Sequence, residues 1–487
     1  MTIELKDKAG LAAIAGILLF AFVCRFWGLS RFNAPVFDEV YFAQYGYDYL
    51  NRTEFFDVHP PLGKYIIAIG IWTFQRLSSA PEIGDAEGVA RLSAFSYRWV
   101  GAAFGTLIPL WVGILAYLLG RRWPFALLAG ALTALDGLLL VESRYALINT
   151  YLLTFGLLGQ IFFLLAIASS RRRALWLVLS GVGFGASWAV KWNGLGFLMA
   201  AYGFYGLALI WRWLVPARPL VGSSADDVPS RYQAAEPLLR GAARVPIPLF
   251  ALALGVIPAI VYRLSWVYHL QIAPEFNFLE MQQQILGYHS RVGGNTAETH
   301  PYCSSWFSWP WMLRPVGYYF QQWEEGDRPI VTDVHALGTP VLWWLATLAT
   351  IAMLAIAAFW FWRALMKSGT KGNAGGDRAS SAKLATHGQL GIVSFLACGY
   401  GANYLPWALV SRCTYLYHYM AASLFSFLAL AWVLDRLWKR RDPAARATVL
   451  TVFVVCAAAF AFWLPVFLGL PLSREAFDLR MWLESWY

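Results

Sequence analysis

The 487-residue chain is 59% hydrophobic and 17% aromatic, yet only 14% charged, where an average soluble chain is about 25% charged. That balance excludes an ordinary soluble domain. The net charge of +10 does not mark a nucleic-acid binder, because the basic residues sit in short clusters between apolar runs, the positive-inside pattern of a membrane protein.

Runs of about 20 apolar residues recur, each long enough to cross roughly 30 Å of hydrocarbon as a helix. The reading is an all-α polytopic membrane protein, one membrane-embedded domain over 1–487, with about eleven spans. These are placed at 10–28, 93–119, 124–141, 146–168, 174–190, 194–213, 248–268, 341–362, 390–409, 415–434 and 447–469. The first run starts near Leu11 and ends in Cys24-Arg25-Phe26-Trp27, which reads as an uncleaved span and not as a signal peptide. Spans three and four form a tight hairpin, and Lys191-Trp192-Asn193 separates five from six. More than half of the 38 Lys and Arg fall in segments that become cytoplasmic if the N-terminus is inside. The loops 214–247 and 363–388 are then inner, the second a Gly/Ser-rich flexible linker. The loops 29–92 and 269–340 and the C-terminal tail are outer. No internal repeat is evident, which counts against an inverted-repeat transporter.

Cys24, Cys398 and Cys456 lie in or beside apolar segments and read as small core residues. Cys303 and Cys413 both fall on the outer side; they are either apolar filler, the commoner role, or a disulfide pair.

Chemistry concentrates between Asn33 and Lys64, where Asp38, Glu39, Asp48, Glu54, Asp57, His59 and Lys64 lie among tyrosines and phenylalanines beside two apolar runs. Ionisable groups at a membrane boundary are costly unless solvated, paired or used. Asp38-Glu39 taken alone is also what a helix start looks like. Three features favour chemistry: the pair lies just outside a span, Asp57 and His59 follow within the same loop, and Gly63-Lys64 opens an apolar run, Tyr65 to Phe74, too short to cross. Such a run suits an interfacial or re-entrant helix.

Arg144, Lys191, Arg412 and His418 lie at outer turns or span ends. Each alone is equally a snorkelling anchor; with Lys64 and His59 they make a set of cations at the level of the acidic loop. An anionic lipid headgroup such as a polyprenyl phosphate needs such a set, Arg giving bidentate contacts and Lys a point charge. The stretch CSSWFSWPWMLRPVGYY, with Trp306, Trp309 and Arg314, is either an aromatic interface belt or a platform for sugar or peptide; with Asp57 these residues are candidates for holding an acceptor. Carboxylates for acid–base work, cations for a phosphate and a lipid-facing wall fit group transfer from a membrane-anchored phosphate.

The segments FDEVYFAQYGYDYL…FFDVHPPLGK, ALDGLLLVESRYALINTYLL, SWAVKWNGL, SWPWMLRPVGYY and RCTYLYHYMAASLFSFLAL together resemble the protein O-mannosyltransferase family, the polyprenyl- or dolichyl-phosphate-mannose–protein mannosyltransferases of GT-C architecture. The resemblance spans nearly the whole chain in the same order, although an acidic pair in the first outer loop is shared by GT-C enzymes generally. It implies an inverting enzyme of eleven spans that moves mannose from polyprenyl phosphate to Ser or Thr hydroxyls of proteins crossing the membrane. The family's base maps to Asp38, with Glu39 beside it, and the hairpin arginine to Arg144, near the donor phosphate or in the framework of the site. His59, Lys64, Lys191, Arg412 and His418 are further donor candidates.

Two departures stand out. Fungal and animal members carry a β-trefoil domain in the long outer loop, for which this chain has no room. That points to a bacterial member in the plasma membrane, with the export machinery a possible partner. The family often has an acid where this chain has Asn149. Competing readings are a GT-C enzyme acting on a lipid or cell-envelope glycan, and a lipid transporter. No cofactor and no metal site is expected, although Asp38, Glu39 and Asp57 have the chemistry to ligate a divalent ion.

Overall fold

The computed structural model describes residues 8–78, 87–214, 237–296, 298–368 and 378–487. Among them nine helices are long and apolar enough to cross a membrane, ten if one bent pair counts as a span. In order these are α1 (Lys8–Phe26), α4 (Ala94–Gly120), the bent pair α5 (Trp123–Ala134) and α6 (Gly137–Arg144), α7 (Asn149–Ala168), α8 (Arg173–Val190), α9 (Leu195–Leu214), α11 (Ile247–Ile272), α13 (Pro340–Ser368), α15 (Met420–Lys439) and α16 (Pro443–Leu468). The remaining expected span corresponds to α14 (Arg378–Tyr404), which is long enough but not among the nine. In α15 83% of the apolar window is buried, against 22% in α1, so α15 lies at the centre and α1 on the lipid-facing rim.

The expected loop 214–247 contains a short helix α10 (Pro237–Ala243); its 215–236 part lies outside the described residues. The linker expected over 363–388 is shorter than that, because α13 runs to Ser368 and α14 begins at Arg378; 369–377 lie outside the described residues.

The span expected at 124–141 is not straight. It bends by 60° between α5 and α6. Asp136 caps α6, accepting from Leu139 N at 2.9 Å and from Trp343 Nε1 at 2.5 Å, so a new helix starts where the first ends. Gly137 lets the Phe467 ring pack close against the start of α6: a Cβ there would lie 2.2 Å from it.

Two helices lie before α4. They are α2 (Glu39–Asn51) and α3 (Leu62–Leu77). The latter buries Lys64, Ile67 and Ile71 and exposes Ile69, Trp72 and Leu77, so the short apolar run from Tyr65 to Phe74 is helical. The long loop is more structured than its sequence announced. Asn277 and Glu280 form a capping box that starts α12 (Phe278–Arg291). A three-stranded antiparallel sheet follows, so the fold is mainly but not wholly helical. Strands β1 (Val316–Glu325) and β2 (Arg328–Ala336) turn at Gly326, whose φ is +64°, and β3 (Leu472–Ser473) pairs with β2. Aromatic and β-branched side chains in VGYYFQQW and PIVTDVHA suit the pleated surface.

Cys303 and Cys413 form a disulfide with Cα atoms 5.2 Å apart; filler, the commoner reading, is overturned. Around it Cys413 N donates to Gly293 O at 3.0 Å and Ser304 N to Thr414 O at 2.8 Å.

Candidate active site

Asp38 precedes the first turn of α2, but its side chain makes no capping bond, so the helix-start reading does not account for it. Phe37 adopts φ +53°, a left-handed conformation costing on the order of 1–3 kcal/mol for a residue of this size. Its ring lies flat on Tyr318 at 4.0 Å, which holds the turn that carries Asp38 into α2. Burial raises the Asp38 carboxyl to about 6; Lys191 opposes the shift and Asp57 adds to it. A carboxylate of that basicity suits general-base work near neutral pH.

Glu39 differs. It is fully buried and pairs with Arg98 through Nε at 2.8 Å and Nη2 at 2.7 Å. It also accepts from Val36 N at 2.8 Å and Ala146 N at 2.7 Å. Both oxygens are engaged, so the geometry gives Glu39 a framework duty in place of the expected catalytic one.

A second acid stands near Asp38. Glu142, on α6, is fully buried and accepts from the Tyr318 hydroxyl and from Asn149 Nδ2 at 3.1 Å. Asn149 Oδ1 in turn accepts from Lys191 Nζ at 3.4 Å. Lys191 is the single extended residue between α8 and the turn into α9, and its ammonium lies 5.2 Å from the centre of the Tyr417 ring. Burial lowers its pKa to about 8, with Glu142 pulling the other way.

Lys191 opens into a cavity of about 740 Å³ lined also by His59, His289 and Arg412. Its other wall is apolar, with Leu195, Met199, Pro406 and Leu409. Three of the expected donor-binding residues therefore meet: His59, Lys191 and Arg412. Burial, and then the charge of Lys191, drives the His59 pKa well below its usual range, so His59 faces the cavity neutral. Arg412 is held there by the Gly294↔Arg412 bridge beside the disulfide.

The remaining expected residues are engaged elsewhere. Arg144 gives its guanidinium to the carbonyls of Cys24, Arg25, Trp27 and Gly28, so it fastens α6 to the end of α1 as framework and does not reach for a phosphate. Lys64 is buried against Asp57 and donates to His59 O at 2.6 Å; the pair is internally neutralised, so neither the phosphate role of Lys64 nor the acceptor role of Asp57 follows from the geometry. His418 is packed against Trp407 and Tyr417 and does not line the cavity. Trp309 is fully buried, bonded to Ser304 Oγ at 2.9 Å, and the Trp306 carbonyl takes Tyr404 OH; both are packing, not platform. Arg314 ties Pro301 O to Ser485 O, fastening the C-terminal tail.

Sequence reasoning passed over Glu142, Tyr318, Asn149 as a bridge, His289 and Arg98. Glu142 had a signal: an acid within an apolar hairpin, two residues from the arginine that was chosen. Tyr318 lies in the segment SWPWMLRPVGYY, but nothing there ties it to Glu142, since only the strand brings it to α6. Among the described residues no group of three or more His, Cys, Asp or Glu side chains is gathered as a metal site would be.

The backbone is similar to that of the Saccharomyces cerevisiae protein O-mannosyltransferase Pmt1–Pmt2 complex bound to the sugar donor, with TM-score 0.74 at 17% identity over 100% of this chain and 93% of that one. It is also similar to the archaeal oligosaccharyltransferase AglB from Archaeoglobus fulgidus, with TM-score 0.53 at 13% identity over 99% of this chain and 58% of that one. The fold is that of the GT-C glycosyltransferases, and the protein is an integral multi-pass membrane protein. Family models described as dolichyl-phosphate-mannose–protein mannosyltransferase and as the C-terminal four-TMM region of protein O-mannosyltransferase match residues 16–242 and 275–486. The polyprenol-phosphate-mannose–protein mannosyltransferases of Mycolicibacterium smegmatis and Mycobacterium tuberculosis are each 25% identical, over 99% and 96% of this chain and 94% and 90% of theirs. The chain belongs to the protein O-mannosyltransferase family.

Proposed function

We propose that this protein transfers mannose from polyprenyl-phosphate mannose to Ser or Thr hydroxyls of exported proteins, on the outer face of the plasma membrane. The observation that carries the proposal is that Asp38, a carboxyl raised to about 6, lies within electrostatic reach of Lys191, which lines the cationic cavity. In the step, the acceptor oxygen attacks the anomeric carbon as Asp38 takes its proton. The bond from that carbon to the phosphate oxygen breaks, and the polyprenyl phosphate leaves with the electron pair, its charge met by Lys191 and Arg412. A single displacement inverts the anomeric centre.

The lipid chain has a path to follow. Below the cavity a second, apolar one of about 250 Å³ lies between Leu207 and Trp211 of α9 and Leu390, Ala397 and Cys398 of α14. From Leu195 to Trp211 is roughly 24 Å of helix at 1.5 Å per residue, most of the hydrocarbon thickness. The outer location is supported by the disulfide, which belongs in an oxidising compartment and sits one residue from Arg412. The N-terminus is then cytoplasmic, in line with the Lys and Arg clusters, and the export machinery is the natural source of acceptors.

The test is label transfer from polyprenyl-phosphate mannose to a Ser/Thr-rich peptide by the purified protein and by Asp38→Asn. Loss of general-base catalysis costs roughly 100-fold or more. Equal label with both proteins would remove Asp38 from the step. Label in glycolipid and none in peptide would favour the lipid- or glycan-directed reading. Full activity in the presence of a chelator is expected; loss restored by Mg²⁺ or Mn²⁺ would require a metal.

A further inference from the structure

A second concavity lies against the loop that leads into Asp38. It is a groove of about 420 Å³ between the loop Arg31–Val36, the face of the β-hairpin and the turn after α16. It shares no lining residue with the cationic cavity. Its lining ends at Val36, two residues before Asp38, at most about 7 Å of chain.

The groove wall is held from beneath. Arg98, buried and paired with Glu39, takes the carbonyls of Leu29, Phe32 and Ala34 at 3.0, 2.7 and 2.8 Å. Phe32 packs on Tyr319 at 4.3 Å. A surface fixed in this way loses little entropy on binding. The floor presents Tyr319, Gln321 and Trp323 from β1 and Thr332 from β2, opposite Asn33. Aromatic faces with amide and hydroxyl groups suit extended polypeptide, the rings giving rigid contact area and the polar groups adaptable hydrogen bonds. Arg31 is the one charged lining residue, and it leans on Trp27 at 5.2 Å. In the sheet order β1-β2-β3, β1 is an edge strand, so one side of it offers main-chain donors and acceptors to an added chain.

We propose that this groove binds the acceptor: an extended, uncharged polypeptide segment flanking the Ser or Thr whose hydroxyl reaches Asp38. The proposal rests on the transfer reading above. Donor and acceptor then enter by separate routes, the lipid phosphate past Lys191 and the polypeptide past Val36.

The experiment uses the full chain in detergent, labelled polyprenyl-phosphate mannose and two acceptors. One is an uncharged nine-residue peptide with a central Thr. The other is N-acetyl-threonine methylamide, too short to reach the groove. The variant is Gln321→Ala with Trp323→Ala, both exposed side chains. The expected result is a rise of about 10-fold in KM for the long peptide, with kcat, donor KM and turnover of the short acceptor unchanged. An unchanged KM for the long peptide would overturn the proposal, as would an equal loss on both acceptors. Photo-cross-linking with a benzophenone peptide is an independent check: adducts on β1 are expected, and adducts confined to other segments would refute it. If wild type labels neither acceptor, the transfer reading fails, and this proposal with it.

Discussion

Replacing Glu39 by Gln separates a framework acid from a catalytic one. The carboxylate accepts four hydrogen bonds, two from Arg98 and one each from Val36 N and Ala146 N, at 2.7 to 2.8 Å. Both members of the ion pair are fully buried. Glutamine is close in size but keeps one acceptor oxygen; its amide nitrogen then points at donors. Breaking one side of a buried pair costs about 3–5 kcal/mol, a large part of a total stability of about 5–15 kcal/mol. The damage is local at first, because Arg98 also fixes the carbonyls of Leu29, Phe32 and Ala34, the loop that leads into Asp38. The expectation is a lowered unfolding temperature in detergent, with activity falling because Asp38 is mispositioned. Asp38→Asn, by contrast, is expected to lose activity at unchanged unfolding temperature. Thermal unfolding and label transfer measured on both variants decide the matter. Glu39→Gln with wild-type stability and no activity would refute the reasoning and return Glu39 to the chemical step.

The pH profile of kcat/KM should be bell-shaped. Asp38 acts as a base only when ionised, so activity rises through about pH 6 and is lost below it. Lys191 holds an anion only while protonated, so donor binding weakens above about pH 8. Lys191→Met removes the charge that favours the Asp38 carboxylate and should move the acid limb to higher pH; a flat profile between pH 5 and 7 in wild type would refute the assignment. Reduction of Cys303–Cys413 frees the segment carrying Arg412. It should raise donor KM several-fold with kcat at saturating donor retained. Donor KM unchanged after complete reduction would show that the hydrogen bonds of Gly293, Ser304 and Thr414 suffice.

The sequence by itself determined the class. Long apolar runs fix the helices, because a chain in hydrocarbon must satisfy its backbone internally, and basic clusters give a reading of their orientation. It also pointed to where ionisable groups gather, because charges beside a bilayer are too costly to be idle: Asp38, His59, Lys191 and Arg412 were singled out in this way. Only the tertiary structure decided which charges remain available. Glu39, Lys64 and Arg144 look like Asp38 and Lys191 in sequence, but Arg98 claims the first from 59 residues away, Asp57 the second from within the same loop, and the carbonyls at the end of α1 the third from as far as 120 residues. The bend at Asp136, the strand that delivers Tyr318 to Glu142, and the groove beside Val36 were equally hidden. Each arises where segments distant in the chain meet, and local pattern carries no information about which distant group a buried polar atom will find.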